Sequence, residues 1–256
     1  MSGMPSLKTS RRAVLAGGLG LCAPRGHAQT ASFFPGGGKF YPTGQLREWP
    51  GDTIICPIAP QSALHGALRA VQEAAMPQPV MRKFALLPTS SLHMTLFEGL
   101  DLEHRRRPFW PAALPTDAPL QVADRWCMQR LADFHTGGGH FRMRPRGMVD
   151  GVAVIDFSLR LAPADAAQDA HLRDVRDRLS AALDIRAPGH DHYRFHITLG
   201  YLIQPLTPEE IPIVRGLFDG WFNRIVAAMP EFQIGPPAFC TFRDMGAFRP
   251  ILELQD

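Results

Sequence analysis

Two short stretches carry residues able to do chemistry. Leu92-His93-Met94-Thr95-Leu96 and, far downstream, Phe195-His196-Ile197-Thr198-Leu199 repeat one pattern. Each alternates apolar and polar residues, the mark of a half-buried strand. Residues two apart on a strand share a face. His93 and Thr95 therefore point one way and Leu92, Met94 and Leu96 the other, and the same holds for His196 and Thr198 against Phe195, Ile197 and Leu199. Imidazole titrates near neutrality, so of two rings facing one cleft, one can accept a proton while the other donates one. Such a transfer is worth roughly 10²–10⁴-fold in rate. Each threonine hydroxyl, about 7 Å along the strand from its histidine, can donate to an anionic oxygen of the reacting group. A single His-x-Thr on a strand is commonly structural or merely exposed. Two copies in matching apolar settings point to a site.

The elements that must position these strands read as a mixture of helices and antiparallel strands. Thr53-Ile54-Ile55-Cys56-Pro57-Ile58 reads as a strand that Pro57 places at an edge or an end. A helix follows, capped by Ser62, with Leu64, Leu68, Val71 and Ala75 on one stripe and Pro77 and Pro79 as its stop. Phe84 to Leu87 leads through Pro88 into the first His-x-Thr strand. Residues 101–120 are charged and Pro-rich, and Arg105-Arg106-Arg107 reads as a solvated loop in preference to a phosphate-binding run. Leu120, Ala123, Cys127, Leu131 and Phe134 lie near helical spacing. Phe141–Arg146 and Val152–Leu161 read as a hairpin turning at Asp150-Gly151. Arg142, Arg144 and Arg146 share one of its faces, which is either exposed sheet or the lining of a phosphate cleft.

The helix expected over Ala164–Leu183 buries Leu172, Val175, Leu179 and Leu183 and sets Arg173, Asp174, Arg176 and Asp177 toward water. Thr207-Pro208-Glu209-Glu210 is a capping-box start. Pro212 breaks its first turn from a helix striped by Val214, Leu217, Phe218, Trp221 and Ile225. Phe232–Leu254 closes the chain as a pair of strands. This order argues an α+β fold. The repeated triplet suggests two similar lobes, each giving one central strand to a shared cleft.

The paired triplets resemble those of the 2H phosphoesterases, the superfamily that includes RNA 2′,5′ ligase-like proteins and 2′,3′-cyclic phosphodiesterases. Pro88-Thr89-Ser90-Ser91-Leu92-His93-Met94-Thr95 with Glu98-Gly99, and His190-Asp191-His192-Tyr193-Arg194-Phe195-His196-Ile197-Thr198-Leu199-Gly200-Tyr201, are similar to its DUF1868 branch. The likeness runs from about Lys39 past Tyr201. It implies two pseudo-symmetric lobes with antiparallel sheets around a central cleft and helices outside. It also implies phosphodiester chemistry without a metal or other cofactor, on a small phosphodiester, a nucleotide or an RNA end. His93 and His196 are then the acid and base in unassigned order, and Thr95 and Thr198 hold the phosphate. Ser91 and Arg194 share strand parity with the histidines and are candidate substrate-binding residues. Tyr201 and Glu98 have the opposite parity. Tyr201 is expected in the core unless its strand bulges.

Composition narrows the setting. The chain has 256 residues, 45% hydrophobic and 20% charged, ordinary globular values. No apolar run reaches the ~18–20 residues of a membrane span. Ser10-Arg11-Arg12, the apolar run Ala13–Ala23 and Gly26-His27-Ala28 read as a twin-arginine export signal over residues 1–28, cleaved after Ala28, which implies a periplasmic protein. A lipoprotein reading at Cys22 is disfavoured by Leu21. Residues 29–50 read as a flexible lead-in and 51–256 as one bilobal domain. Gly36-Gly37-Gly38-Lys39 fails as a phosphate loop, because Phe40 stands where Ser or Thr is needed.

Residues 1–28 hold four of the 27 basic residues and no acid, and 27 − 4 leaves 23 basic against 24 acidic residues. Extended duplex binding is therefore not suggested. Cys56, Cys127 and Cys240 lack Cys-x-x-Cys spacing and read as core residues. The chain is expected to be a monomer.

Two rival readings remain. His190, His192 and His196 could bind a metal, but residues four apart on a strand are separated by about 13 Å. Alternatively, the cleft holds a nucleotide or RNA end in the periplasm without turning it over.

Overall fold

Alternation of apolar and polar side chains gives this chain its strands, and those strands carry the site. The computed structural model describes residue 33, residues 35–148 and residues 156–256. The export segment over 1–28, its cleavage site, Cys22 and the Asp150-Gly151 turn lie outside the described residues.

Among the described residues, nine strands form one antiparallel sheet. They are β1 (Gly51–Pro57), β2 (Phe84–Leu86), β3 (His93–Asp101), β4 (Phe141–Gly147), β5 (Asp156–Pro163), β6 (His196–Leu202), β7 (Phe232–Ile234), β8 (Ala238–Phe242) and β9 (Phe248–Glu253). Their order across the sheet is β7-β4-β5-β6-β3-β1-β8-β9, with β2 also paired to β6. The two His-x-Thr strands, β3 and β6, are thus neighbours at its centre. Where two sheets were expected, the strands join in one, through the single pair Met94–Ile197. The end of the chain also differs from the expected strand pair. β7 joins β4 at one edge while β8 and β9 build the other.

Among the described residues, four α-helices pack on the apolar face of the central strands: α1 (Ala63–Ala75), α2 (Leu120–Leu131), α3 (Ala166–Leu183) and α4 (Glu210–Ala228). Met94, Leu96, Ile197 and Leu199 point into one core with Leu68, Cys127, Leu179 and Phe218 from the helices. Burying side chains of this size stabilises the fold by about 1.5–3 kcal/mol each. The caps fall where the local sequence places them. Ser62 Oγ accepts from the His65 amide at 3.1 Å, and Asp165 accepts from the Gln168 amide at 2.9 Å. At α4 the Thr207 amide donates to Glu210 Oε2 at 2.8 Å. Pro212 does not split α4, because it sits in the first turn, where an amide proton has no intrahelical partner.

Cys56, Cys127 and Cys240 are buried free thiols. Residues 35–50 are folded onto the sheet: Phe40 is buried, and the Trp49 amide donates to the Arg243 carbonyl at 2.8 Å. No described helix is long and apolar enough to cross a membrane.

Candidate active site

β3 and β6 pair only at Met94–Ile197. Beyond that point β6 gives its edge to β2, at Leu202, Tyr201 and Gly200. A cavity of about 290 Å³ opens on the polar side of this seam, and His93, Thr95, His196 and Thr198 all line it. That volume is at the small end for ligand sites.

Both rings are held in the same way. His93 Nδ1 lies 2.7 Å from the Ser91 carbonyl oxygen, and His196 Nδ1 lies 2.9 Å from the Arg194 carbonyl oxygen. A carbonyl only accepts, so each Nδ1 carries a proton and each Nε2 is left to exchange a proton with a ligand. Ser91 and Arg194 therefore serve the rings through their backbones. The Ser91 hydroxyl is buried and donates to the Pro88 carbonyl at 2.9 Å, and the Arg194 side chain is exposed. Neither side chain lines the cavity.

The two rings differ electrostatically. Burial pushes His93 down to about 4, against the Ser91 carbonyl, and the nearby His196 and Lys39 depress it further. Burial also lowers His196, opposed by the Arg194 carbonyl. Arg160 lowers it further, while Asp156 and Glu98 pull it back up. The Thr198 hydroxyl accepts from Ser158 Oγ at 3.1 Å across the β5–β6 pair. The Tyr193 phenol is pushed well above its ordinary value, chiefly by burial and also by Glu98, with Arg176 and Thr95 opposing.

Glu98 and Tyr201 also line the cavity, although strict alternation places them on the opposite face. The reason is a β-bulge in each strand. Ile54 pairs with Phe97 and Ile55 with Thr95, leaving Leu96 as an extra residue. Phe157 pairs with Gly200 and Ser158 with Thr198, leaving Leu199 as an extra residue. Each bulge flips the parity of the residues beyond it.

Both bulge carbonyls are satisfied by buried side chains. Arg176 Nη1 donates to the Leu96 carbonyl at 2.5 Å. Gln72 Nε2 and the Leu87 amide each donate to the Leu199 carbonyl at 2.9 Å. Arg176, expected on the wet side of its helix, is buried for this purpose, with its guanidinium stacked 3.9 Å from the Tyr193 ring.

Other lining residues come from parts of the chain that the triplets do not reveal. Phe248 of β9 lies 4.3 Å, centroid to centroid, from the His93 ring. Trp49 and Lys39 come from the segment ahead of β1. Arg142 and Arg144 are not in the cavity. They are exposed and paired with Asp165 and Glu231. The rival reading of a metal site at His190, His192 and His196 finds no such cluster among the described residues. His190 Nε2 lies 3.0 Å from Asp177, and with Asp191 these are, among the described residues, the ones placed closely enough to hold a metal. Arg186 pairs with both acids, and none of the three lines the cavity.

Both the sequence and the fold have counterparts among known proteins. A family model for 2H phosphodiesterases, a domain of unknown function (DUF1868), matches residues 39–155, a range that includes the first triplet. A crystal structure of a conserved protein of unknown function from Agrobacterium tumefaciens strain C58 is 31% identical, with a TM-score of 0.78. The match covers 85% of this chain and 90% of that one. A protein of Thermus thermophilus aligns at 14% identity and a TM-score of 0.42, over 79% of this chain and 96% of that one, too loosely to argue from. No curated protein matches the chain.

Proposed function

From the premise that the chain belongs to the DUF1868 family of 2H phosphodiesterases, we propose that it hydrolyses a cyclic or 2′,5′-linked phosphodiester of a nucleotide or RNA end, by acid–base catalysis between His93 and His196. The observation that carries this reading is the matched pair of rings. Each Nδ1 is pinned by the carbonyl two residues earlier, and both rings line one cavity. His93 is assigned as the base, since burial, with His196 and Lys39 adding to it, favours the neutral ring. His196 is assigned as the acid: burial and Arg160 lower it, but Asp156 and Glu98 offset part of that, and His93 has no such carboxylate support.

Water gives a proton to His93 Nε2 as its oxygen bonds to phosphorus. The bond from phosphorus to the leaving oxygen breaks, and His196 Nε2 protonates that oxygen. Thr95 and Thr198 donate to the non-bridging oxygens. No step in this scheme calls on a metal. The fold is read as two related halves around the cleft, a reading supported by the same bulge in each central strand. The twin-arginine segment adds an exported, periplasmic setting. Processing after Ala28 on expression in a bacterium with an active twin-arginine pathway would check this.

The experiment uses nucleoside 2′,3′-cyclic phosphates and short 2′,5′-linked oligonucleotides with chelator present. His93→Ala and His196→Ala are each expected to lower kcat by about 10²–10⁴-fold. Turnover that survives both substitutions together ends the proposal. Tight nucleotide binding with no turnover by the wild type would mark a binding protein instead.

A further inference from the structure

Lys39 enters the cavity from outside both His-x-Thr strands, on a turn whose shape depends on glycine. Gly36, Gly37 and Gly38 have φ of 54°, 67° and 92°. A Cβ on Gly36 would lie 2.7 Å from Phe40 Cδ2 and 3.0 Å from Tyr201 Cβ. A side chain there is strained by the backbone and crowded by its neighbours. The turn is fastened on both sides. Phe40 is buried with its ring 5.1 Å from Tyr201, and the Arg47 amide donates to the Lys39 carbonyl at 3.0 Å.

Between these anchors the Lys39 ammonium lies over two aromatic rings, 5.8 Å from the centre of Trp49 and 5.6 Å from that of Tyr201. Among the described residues it has no carboxylate partner. Lys83, by contrast, is paired with Glu210 at 2.5 Å. Aromatic faces attract a cation but leave its charge uncompensated. A partly desolvated ammonium at a cavity wall is therefore a standing offer to an anion.

The cavity is polar along one direction. Lys39 stands near enough to His93 to repel its proton, and Glu98 near enough to His196 to attract one. A phosphodiester with its phosphorus between the rings would take water from the His93 side and release its leaving oxygen toward His196, leaving a non-bridging oxygen free to meet a cation at the wall.

We propose that Lys39 is a phosphate-binding residue of this site, a cation carried in on a glycine turn to grip a non-bridging oxygen of the substrate. This rests on the phosphodiesterase reading for its ligand, and the experiment separates the two. Inorganic phosphate binding is measured by calorimetry, and kcat/KM on a cyclic phosphodiester, for wild type, Lys39→Met, Lys39→Arg and Gly36→Ala.

Lys39→Met is expected to weaken phosphate binding at least tenfold and to lower kcat/KM by about 10²-fold, with Tm nearly unchanged because no ion pair is lost. Lys39→Arg should recover most of both. Gly36→Ala should reproduce the loss with the lysine still present. Unchanged phosphate affinity and kcat/KM in Lys39→Met overturns the proposal. So does a lowered Tm with unchanged affinity per folded molecule, which marks a structural role, and so does a wild type that binds no phosphate. Lysine-dependent phosphate binding without turnover of any diester would uphold Lys39 and sink the hydrolase reading.

Discussion

A histidine that takes a proton from its substrate or gives one to it must turn one nitrogen toward that substrate and keep its other nitrogen occupied. His93 and His196 meet both conditions through main-chain carbonyls, so this anchoring does not depend on which side chains stand at 91 and 194. Arg194→Ala is expected to leave kcat within about threefold of wild type, because the carbonyl stays. A loss comparable to that of His196→Ala would show instead that the guanidinium takes part in the reaction. The ring environments also set a pH profile. The active form of the free enzyme has one ring neutral and one protonated, and the two values belong to the pair. With His93 near 4 and His196 below its ordinary 6.5, kcat/KM should peak on the acid side of neutrality and fall steadily from pH 6.5 to 8. Bound phosphate raises both rings, so kcat should peak at higher pH than kcat/KM. A kcat/KM that climbs from pH 6 to 9 would rule out this pairing.

At the level of elements, the two bulges decide what joins the histidines. Without the extra residues Leu96 and Leu199, Glu98 and Tyr201 would face the core. Gln72 holds one bulge from α1, donating at 2.8 Å to the Leu87 carbonyl and at 2.9 Å to that of Leu199. Gln72→Leu would strip both carbonyls of this buried donor. A cost of about 1–3 kcal/mol is expected, seen as a lower midpoint in urea unfolding, with a rise in KM as Tyr201 loses its setting. An unchanged midpoint would mean that the bulge is stable without it. Here lies the boundary of what local sequence can show. His93, Thr95, His196 and Thr198 can be assigned a face because alternation is a property of neighbours. The bulges leave only a faint trace, the consecutive buried pairs Leu96-Phe97 and Leu199-Gly200. Charge alone sets Arg176 toward water, yet it is buried because the Leu96 carbonyl, distant in sequence, needs a donor. Lys39 escapes notice because its glycines fail a phosphate-loop pattern, while its partners Trp49 and Tyr201 meet it only in the fold.

For the molecule as a whole, stability is pulled by pH in opposite directions from two places beside the same cavity. Asp52 of β1, a cavity-lining residue, is raised well above the usual carboxylate range by burial, against the Leu100 amide that donates to it at 2.9 Å. Its neighbour Asp124 of α2 is raised to about 6, again chiefly by burial, and the interaction between the two carboxyls favours the proton on Asp52. Carboxyls raised in the folded state contribute stability that is full below their unfolded value near 4 and is lost as pH rises through about 6 and beyond. The buried histidines act oppositely. Lowered in the folded state, they contribute stability present above 6.5 and lost as pH falls toward about 4. Asp52→Asn separates the two effects. The amide oxygen can still accept from Leu100, and its NH₂ can face Asp124 as a donor in place of the acid proton, now at every pH. The variant should therefore exceed wild type by about 1–2 kcal/mol at pH 8, a figure reduced for Asp124's partial contact with solvent. The two should converge near pH 4, where only the histidine effect remains. Asp52→Ala, which orphans the Leu100 amide, should be less stable at both pH values. Equal slopes of Tm against pH for wild type and Asp52→Asn would show that the carboxyl pair does not titrate with folding.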